Sequence, residues 1–341
     1  MRQLTVEKND AGQRLDKFLQ KSMPALPPAL MYKYLRQKRV RCNGTQVTNG
    51  ALRLQQGDVL CLYIRDEFFA RNVGTDALAR LHPQLQILYE DDNLLLVEKP
   101  AGQLVHDAEG AAPRETLISH IRAYLYQKGA YHPAQEQSFA PALCNRIDRN
   151  TAGIVIAAKN AQALRCMDEI IRSHQIEKYY LCAVHGTLHP QTGELRGYLR
   201  KNAAANLVSV FDHPLPDGSA KLSRTVYHTL AQNDGLSLVL VRLITGRTHQ
   251  IRAQFAHAGH PLLGDGKYAV NREDRLRGYT AQALYAVMLR FCIPKDGFLG
   301  YMHGKTVAVN GNHIGFLREF PDFRITNGML AQTLPPFCPT D

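Results

Sequence analysis

Apolar residues in this chain come in short runs, and that sets the first limit on its fold. LLLV at 94–97 and IVIAA at 154–158 have the length of a strand or a core helix. No run approaches the ~18 residues needed to cross a bilayer. The N-terminal MRQLTVEKND lacks the apolar stretch of a signal peptide. At 341 residues the chain is long enough for a substantial core and roughly two domains. Seven scattered cysteines with no CxxC pair argue against a structural zinc site or a disulfide framework. A cytoplasmic protein without membrane attachment is expected.

The spacing of those runs alternates irregularly between periods. Leu15, Phe18 and Leu19 form a helical stripe within residues 12–22, which MPALPPAL interrupts with three prolines. A second helical stretch, ALMYKYLRQKR, would turn Leu30, Tyr34 and Leu35 inward. RVRCNG reads as a strand ending at the Asn43-Gly44 turn, and VLCLYI as another after Gln56-Gly57-Asp58. Residues 1–70 thus suggest a small α/β module, and 71–85 a linker. In a second module from 86 to 307, ILYE, LLLVEK, IVIAAK, YYLCAVHG and SLVLVRLITG read as strands. Residues 113–129, with Leu117, Ile118, Ile121 and Leu125 on one side, read as a helix, as do AQALRCMDEIIRSH and THQIRAQFAHAG. This order predicts an α+β fold with a mixed, largely antiparallel sheet, not a doubly wound parallel one. Residues 308–341 are expected to be a C-terminal extension. Neither a Walker sequence nor GxGxxG is present, so a nucleotide cofactor has no support.

Charge separates the two modules. The chain carries 41 Lys+Arg and 30 Asp+Glu, a net of +11. Residues 1–65 hold twelve of the bases and four of the acids, so +8 of the excess lies in one fifth of the chain. Within it, Lys33, Arg36, Lys38, Arg39 and Arg41 crowd a helix-to-strand junction. They read either as a solvated helix face or as a patch that contacts nucleic-acid phosphates. Tyr32 and Tyr34 nearby read as packing residues, with base stacking as the other possibility.

Three stretches of the second module concentrate chemistry. In NRIDRNTAGIVIAAKN (145–160), Asp148 stands between Arg146 and Arg149, whose charges would favour its ionised form. Local spacing alone fits a surface turn with salt bridges at least as well. LITGRTHQIRAQFAHAGHPLLGDGKY (243–268) groups Arg247, His249, Arg252, His257 and His260, with Asp265 following. The histidine spacing matches no common zinc pattern. A buried Arg252 would need a carboxylate, and Asp148 is a candidate. In EKYYLCAVHG (177–186), Tyr180, Cys182 and Val184 point to one side of a strand, where Tyr180 is either a core residue or a ring that stacks on a planar ligand.

Together, and in this order, these stretches resemble the RluA-type family of pseudouridine synthases. NRIDRNTAG is similar to that family's HRLDxxTSG, EKYYLCAVHG to KxYLAxVxG, and TGRTHQIRAQFAHAGHPLLGD to TGRTHQIRxHxxxxGxPxxGD. DDNLLLVEKPAGQLVH resembles the opening DDxxxxxNKPxGxxVH. The N-terminal module resembles the small RNA-binding domain typified by ribosomal protein S-four.

The resemblance implies an enzyme that detaches uracil from ribose, rotates it and rejoins it through carbon 5. Asp148 would be the essential carboxylate, Arg252 its partner, and Tyr180 the ring under the uracil. Arg146 would fill the gap left by the flipped uridine. An isomerisation needs no metal and no cofactor. RNA is the implied partner of what is expected to be a monomer, with large-subunit ribosomal RNA favoured over tRNA. Four positions depart from the family pattern: Asn145, Asn150, Ala152 and Gln254. Two other classes stand against this reading. One is a non-catalytic RNA-binding protein on the same fold, which a lost Asp148 would mark. The other is a metal hydrolase using His249, His257 and His260.

Overall fold

The computed structural model describes residues 1–69, 75–106, 115–202 and 204–324. The N-terminal unit is built from β1 (Arg2–Thr5), α1 (Leu15–Ser22), α2 (Pro28–Arg36), β2 (Val40–Cys42), β3 (Thr45–Gln46) and β4 (Val59–Leu62). Its antiparallel sheet runs β1-β4-β2-β3. Leu15, Phe18 and Leu19 of α1 meet Met31 and Leu35 of α2 over Val40, Leu60 and Leu62. Asn43 and Gly44, with φ of 51° and 79°, make the tight turn expected between β2 and β3. The prolines open α2 as well as ending α1, since Pro28 sits in its first turn, where no N–H is needed. Met31 takes the fully buried place expected of Leu30 and Tyr34, which are only partly covered.

The rest of the chain follows as α3 (Thr75–Arg80), β5 (Gln86–Glu90), β6 (Leu94–Lys99), α4 (Leu117–Gln127), β7 (Ala142–Leu143), β8 (Ala152–Ala158), α5 (Ala161–Arg172), β9 (Ile176–His185), β10 (Thr192–Asn202), β11 (Leu207–Phe211), β12 (Lys221–Asn233), β13 (Leu236–Leu243), α6 (Gln250–His257), α7 (Arg272–Leu276), β14 (Leu284–Phe291) and β15 (Thr306–Ala308). The strands form one sheet in the order β11-β10-β12-β13-β9-β14-β8-β6-β5, with β15 beside β14 and β7 beside β8. Among the described residues only the β14–β8 pair is parallel, so the α+β expectation holds.

The central strands are apolar on consecutive positions because both faces are covered. Leu94, Leu96, Ile154, Ile156, Tyr179 and Leu181 face α5 and the C-terminal segment, including Ile314, Phe316 and Phe320. Leu95, Val97, Val155, Ala157, Tyr180 and Cys182 face α4 and α6, through Ile118, Ile121, Leu125, Ile251 and Phe255. The period of two therefore sends Tyr179 to one side and Tyr180 to the other. Gly153 allows β8 to approach β14: a Cβ there would lie 2.2 Å from the Ala286 carbonyl oxygen.

Two boundaries shift. The segment expected to be a linker contains α3, whose Leu78 packs toward α4. The folded unit also continues past 307, because Val309, Ile314, Phe316 and Phe320 complete the core. Residues 70–74 and 325–341 lie outside the described residues. Cys42, Cys61, Cys144, Cys166 and Cys182 are free thiols. Among the described residues no helix is long and apolar enough to cross a membrane.

The two units meet through polar contacts. Asn9 donates to Glu136 at 2.7 Å and accepts from the Ala161 amide at 3.2 Å, at the start of α5. Gln13 donates to Ser138 at 2.6 Å, and Ser138 donates in turn to Asp10. Gln137 reaches the Thr5 carbonyl at 2.5 Å.

Candidate active site

Asp148 lies in the loop between β7 and β8, with its side chain 29% exposed to a cavity of about 450 Å³. Tyr180 lines the same cavity from β9, and Arg252 from the first turn of α6. The three sequence-predicted residues thus come together from segments up to 104 positions apart. Arg252 Nη1 donates to Asp148 Oδ2 at 3.0 Å. Its Nε and Nη2 donate to the two oxygens of Asp265 at 2.7 and 2.8 Å, a bidentate pair. Burial works against the Arg252 charge, but Asp265 and then Asp148 more than offset it and push its pKa up. Burial, helped by Asp148, pushes the Tyr180 hydroxyl up, so the ring meets the cavity as a neutral phenol.

The arginines beside Asp148 in sequence are not its partners. Arg149 is exposed and donates to the Gly102 carbonyl at 2.9 Å. Arg146 is exposed at the cavity rim. The irregular loop sends neighbouring side chains apart, so the guanidinium that meets the carboxylate comes from α6.

Lys99, at the end of β6, has a structural role. It is fully buried and donates to the carbonyls of Pro100, Gln103 and Arg149 at 2.8, 3.1 and 2.9 Å. The Gly102 amide adds a further bond to the Arg149 carbonyl at 2.9 Å, so the turn after β6 is fastened to the Asp148 loop. Burial pushes the Lys99 ammonium down to about 8, with Asp148 opposing. The signal was a lysine closing an apolar strand immediately before a proline. Lys178, two positions before Tyr180 on the same strand face, also lines the cavity, and burial lowers its pKa.

The departures from the family pattern are supporting residues. Asn145 accepts from the Ile156 amide at 2.8 Å. Gln254 accepts from Thr225 at 2.6 Å and donates to the Leu195 carbonyl at 3.0 Å, which ties α6 to β10 and β12. Ala152 is buried at the start of β8, and Asn150 is half-buried in the loop before it. The three histidines have separate partners: His249 meets Tyr268, His257 meets Asp212, and His260 meets the His185 carbonyl. Among the described residues no group of three His, Cys, Asp or Glu side chains is arranged to hold a metal.

In the N-terminal unit, Lys33 and Arg36 are exposed on α2, and Lys38 and Arg39 are exposed in the turn that follows. Arg39 lies over the Tyr34 ring at 4.9 Å and the partly covered Arg41 over the Tyr63 ring at 5.5 Å. Tyr34 packs partly into the core as expected, while Tyr32 is exposed and donates to Asp16 at 3.3 Å. The exposed ring beside the basic strand, Tyr63, was not singled out in the sequence.

Comparison with known proteins identifies the family. The RNA pseudouridylate synthase family matches residues 93–257 and the S4 domain matches residues 13–60. A protein of Vibrio vulnificus named ribosomal large subunit pseudouridine synthase C is 33% identical, over 85% of this chain and 88% of the relative. Its namesake in Haemophilus influenzae is 30% identical over 87% of this chain and 89% of the relative. An uncharacterized RNA pseudouridine synthase homolog of Mycoplasma pneumoniae is 33% identical over 82% and 84%. Human RNA pseudouridylate synthase domain containing 4 shares the fold, with a TM-score of 0.55 and 20% identity over 75% of this chain and 98% of that one. The chain belongs to the RluA-type RNA pseudouridine synthases, enzymes that isomerise uridine, and carries an S4 domain in its N-terminal region.

Proposed function

We propose that this enzyme converts specific uridines of large-subunit ribosomal RNA to pseudouridine, as a monomer in the cytoplasm where that RNA is made. The observation that carries the reading is the convergence of Asp148, Tyr180 and Arg252 on one cavity. The names of the relatives and the basic S4 unit support ribosomal RNA as the substrate.

In this reading Asp148 is the reacting carboxylate. It adds to the base, adds to the sugar, or promotes loss of uracil; each route begins from an ionised group in a shielded pocket. The N1–C1′ bond breaks, the uracil turns, and C5 bonds to C1′. The C5 proton leaves and N1 gains one, so no redox partner is needed. Arg252 holds the carboxylate in place through the hydrogen bond to its Oδ2. Tyr180 supplies a flat neutral surface for the uracil and assists proton transfer at C5. Arg146, exposed at the rim, takes the place vacated in the stack, which offsets an unstacking cost of a few kcal/mol. Lys33, Arg36, Lys38, Arg39 and Arg41 hold the RNA through phosphates. We assign residues 1–70 to the RNA-binding unit and 86–307 to the catalytic one, with the later residues completing its core.

The test is to map pseudouridines in cellular RNA with and without the gene. Loss of particular sites in large-subunit ribosomal RNA, restored by wild type but not by Asp148→Asn, is expected. Loss confined to tRNA would overturn the ribosomal assignment. Full restoration by Asp148→Asn would overturn the role of Asp148 and favour a non-catalytic binding protein.

A further inference from the structure

His249 occupies an unusual place in this site. It is the residue before α6 and holds φ of 50° and ψ of 22°, the left-handed region that side chains other than glycine seldom adopt. Such outliers cluster at functional sites. Its ring does not cap the helix. The loop amide is met instead by Gln250, which accepts from the Arg247 N–H at 3.0 Å and from Thr245 at 2.9 Å. The Gln250 amide donates to Thr225 at 2.8 Å and to the Arg224 carbonyl at 3.0 Å. The imidazole is thereby left to face Asp148.

Tyr268 sets the proton on that ring. Its hydroxyl oxygen accepts the Val208 amide at 3.0 Å, and it lies 2.7 Å from His249 Nδ1. With its oxygen accepting from Val208, the hydroxyl keeps its own hydrogen to donate to Nδ1; in that arrangement the imidazole hydrogen sits on Nε2. His249 Nε2 lies 3.8 Å from Asp148 Oδ2. Burial lowers the His249 pKa against the pull of Asp148; Arg252 and Lys267 lower it further and Asp265 opposes. The ring is therefore neutral at physiological pH. Arg252 Nη1 also reaches Oδ2, and among the described residues no hydrogen bond reaches Oδ1.

We propose that His249 is a positioning residue of the isomerisation: Tyr268 holds it as the Nε2–H tautomer, and it closes on Asp148 Oδ2 when RNA binds, leaving Oδ1 to react. This rests on the reading of Asp148 as the reacting carboxylate. Catalytic hydrogen bonds that are long in a free enzyme commonly tighten in the complex. The structure also contains a lever for tightening. Val208 belongs to β11, whose neighbour Asn206 lines the cavity and is held through its carbonyl by Lys267 Nζ at 2.7 Å. The β10–β11 arm, Tyr268, His249 and Asp148 thus form one series along the cavity wall.

The test compares full-length His249→Gln with His249→Leu on an unmodified large-subunit ribosomal RNA transcript. Both substitutions keep a side chain in the left-handed backbone, so their difference reads the donor. Glutamine Nε2 reaches the position of imidazole Nε2. His249→Leu is expected to lower kcat about tenfold or more with KM within about twofold, as misaligned groups do. His249→Gln is expected to recover to within about threefold of wild type. Tyr268→Phe keeps the ring over Arg252 and should lower kcat similarly, adding little to His249→Leu in the double variant. Equal activity of the Gln and Leu variants, or a loss confined to KM, would overturn the proposal. If His249→Leu does not fold, an unchanged kcat in Tyr268→Phe does so. Asp148→Asn serves as the control. If it stays active, the underlying reading fails and this one with it. If it is dead while His249→Leu turns over normally, only the positioning role fails.

Discussion

Arg252 grips Asp265 with two hydrogen bonds and Asp148 with one. Asp265 is almost wholly buried, its side chain 1% exposed, and Asp148 is partly open. The closed carboxylate fixes the guanidinium plane, and the fixed plane presents an Nη1 N–H to the open one.

Asp265→Asn should therefore harm two properties at once. Removing one member of a buried pair costs about 3–5 kcal/mol of stability. Activity measured where the variant is still folded should also fall, because Arg252 is no longer aimed. Arg252→Lys should fail to restore activity, since an ammonium cannot make the bidentate contact. Thermal denaturation beside single-turnover rates checks both; full activity in Asp265→Asn would refute the aiming role.

Asp148→Asn is expected to abolish pseudouridine formation while RNA affinity stays within about threefold. The substitution is nearly isosteric, and phosphate contacts supply most of the binding. Filter binding alongside product analysis separates the two effects. A matching collapse of affinity would point to a binding role instead.

Glu90 gives the fold an acid limit. Burial raises its pKa, but hydrogen bonds from Lys128, Lys159 and Tyr124 outweigh that and hold it near about 2. Below its unfolded pKa the unfolded chain takes up a proton that the folded one refuses. The stabilisation, about 3 kcal/mol at most, is present above pH 4.5 and disappears as pH falls toward 2. Glu90→Gln should thus destabilise at pH 7 and approach wild type as pH falls through about 2 in urea titrations. A gap that stays constant with pH would contradict this.

The basic surface of the S4 unit should be visible in the salt dependence of binding. Neutralising Arg36 and Lys38 together should lower the slope of log affinity against log salt by roughly 1.4–1.8, if each meets one phosphate. Substitution suits this test better than removing the whole unit, because Thr5, Asn9, Asp10 and Gln13 are hydrogen-bonded to the catalytic unit. An unchanged slope would assign the anchor elsewhere.

The alternation around Tyr180 and the stripe of α1 could be read directly from the sequence, because each depends on local period. So could the tight turn at Asn43-Gly44. The Arg252–Asp148 pair was reachable only as a candidate, because two ends of a contact 104 residues apart share no local signal. Asp265 was noticed nearby but not as the stronger partner of Arg252. The error about Arg146 and Arg149 has a definite cause: adjacency in sequence says little about direction in an irregular loop. The contact between the units and the docking of residues 309–320 were invisible, since polar pairings and short apolar segments carry no periodic pattern.

The hydrogen bonds from Asn9, Gln13 and Gln137 join the RNA anchor to the frame that carries Asp148. If the S4 unit grips phosphates as proposed, an anchor mounted in this way would work as a caliper, with the gripped phosphates at one jaw setting which nucleotide reaches the other. Selection of a uridine would then depend on its offset in space from the gripped helix, and many sequences that fold to the same shape would present the same offset. Shortening or loosening the joint would shift or blur which uridine is modified before it slowed the chemistry.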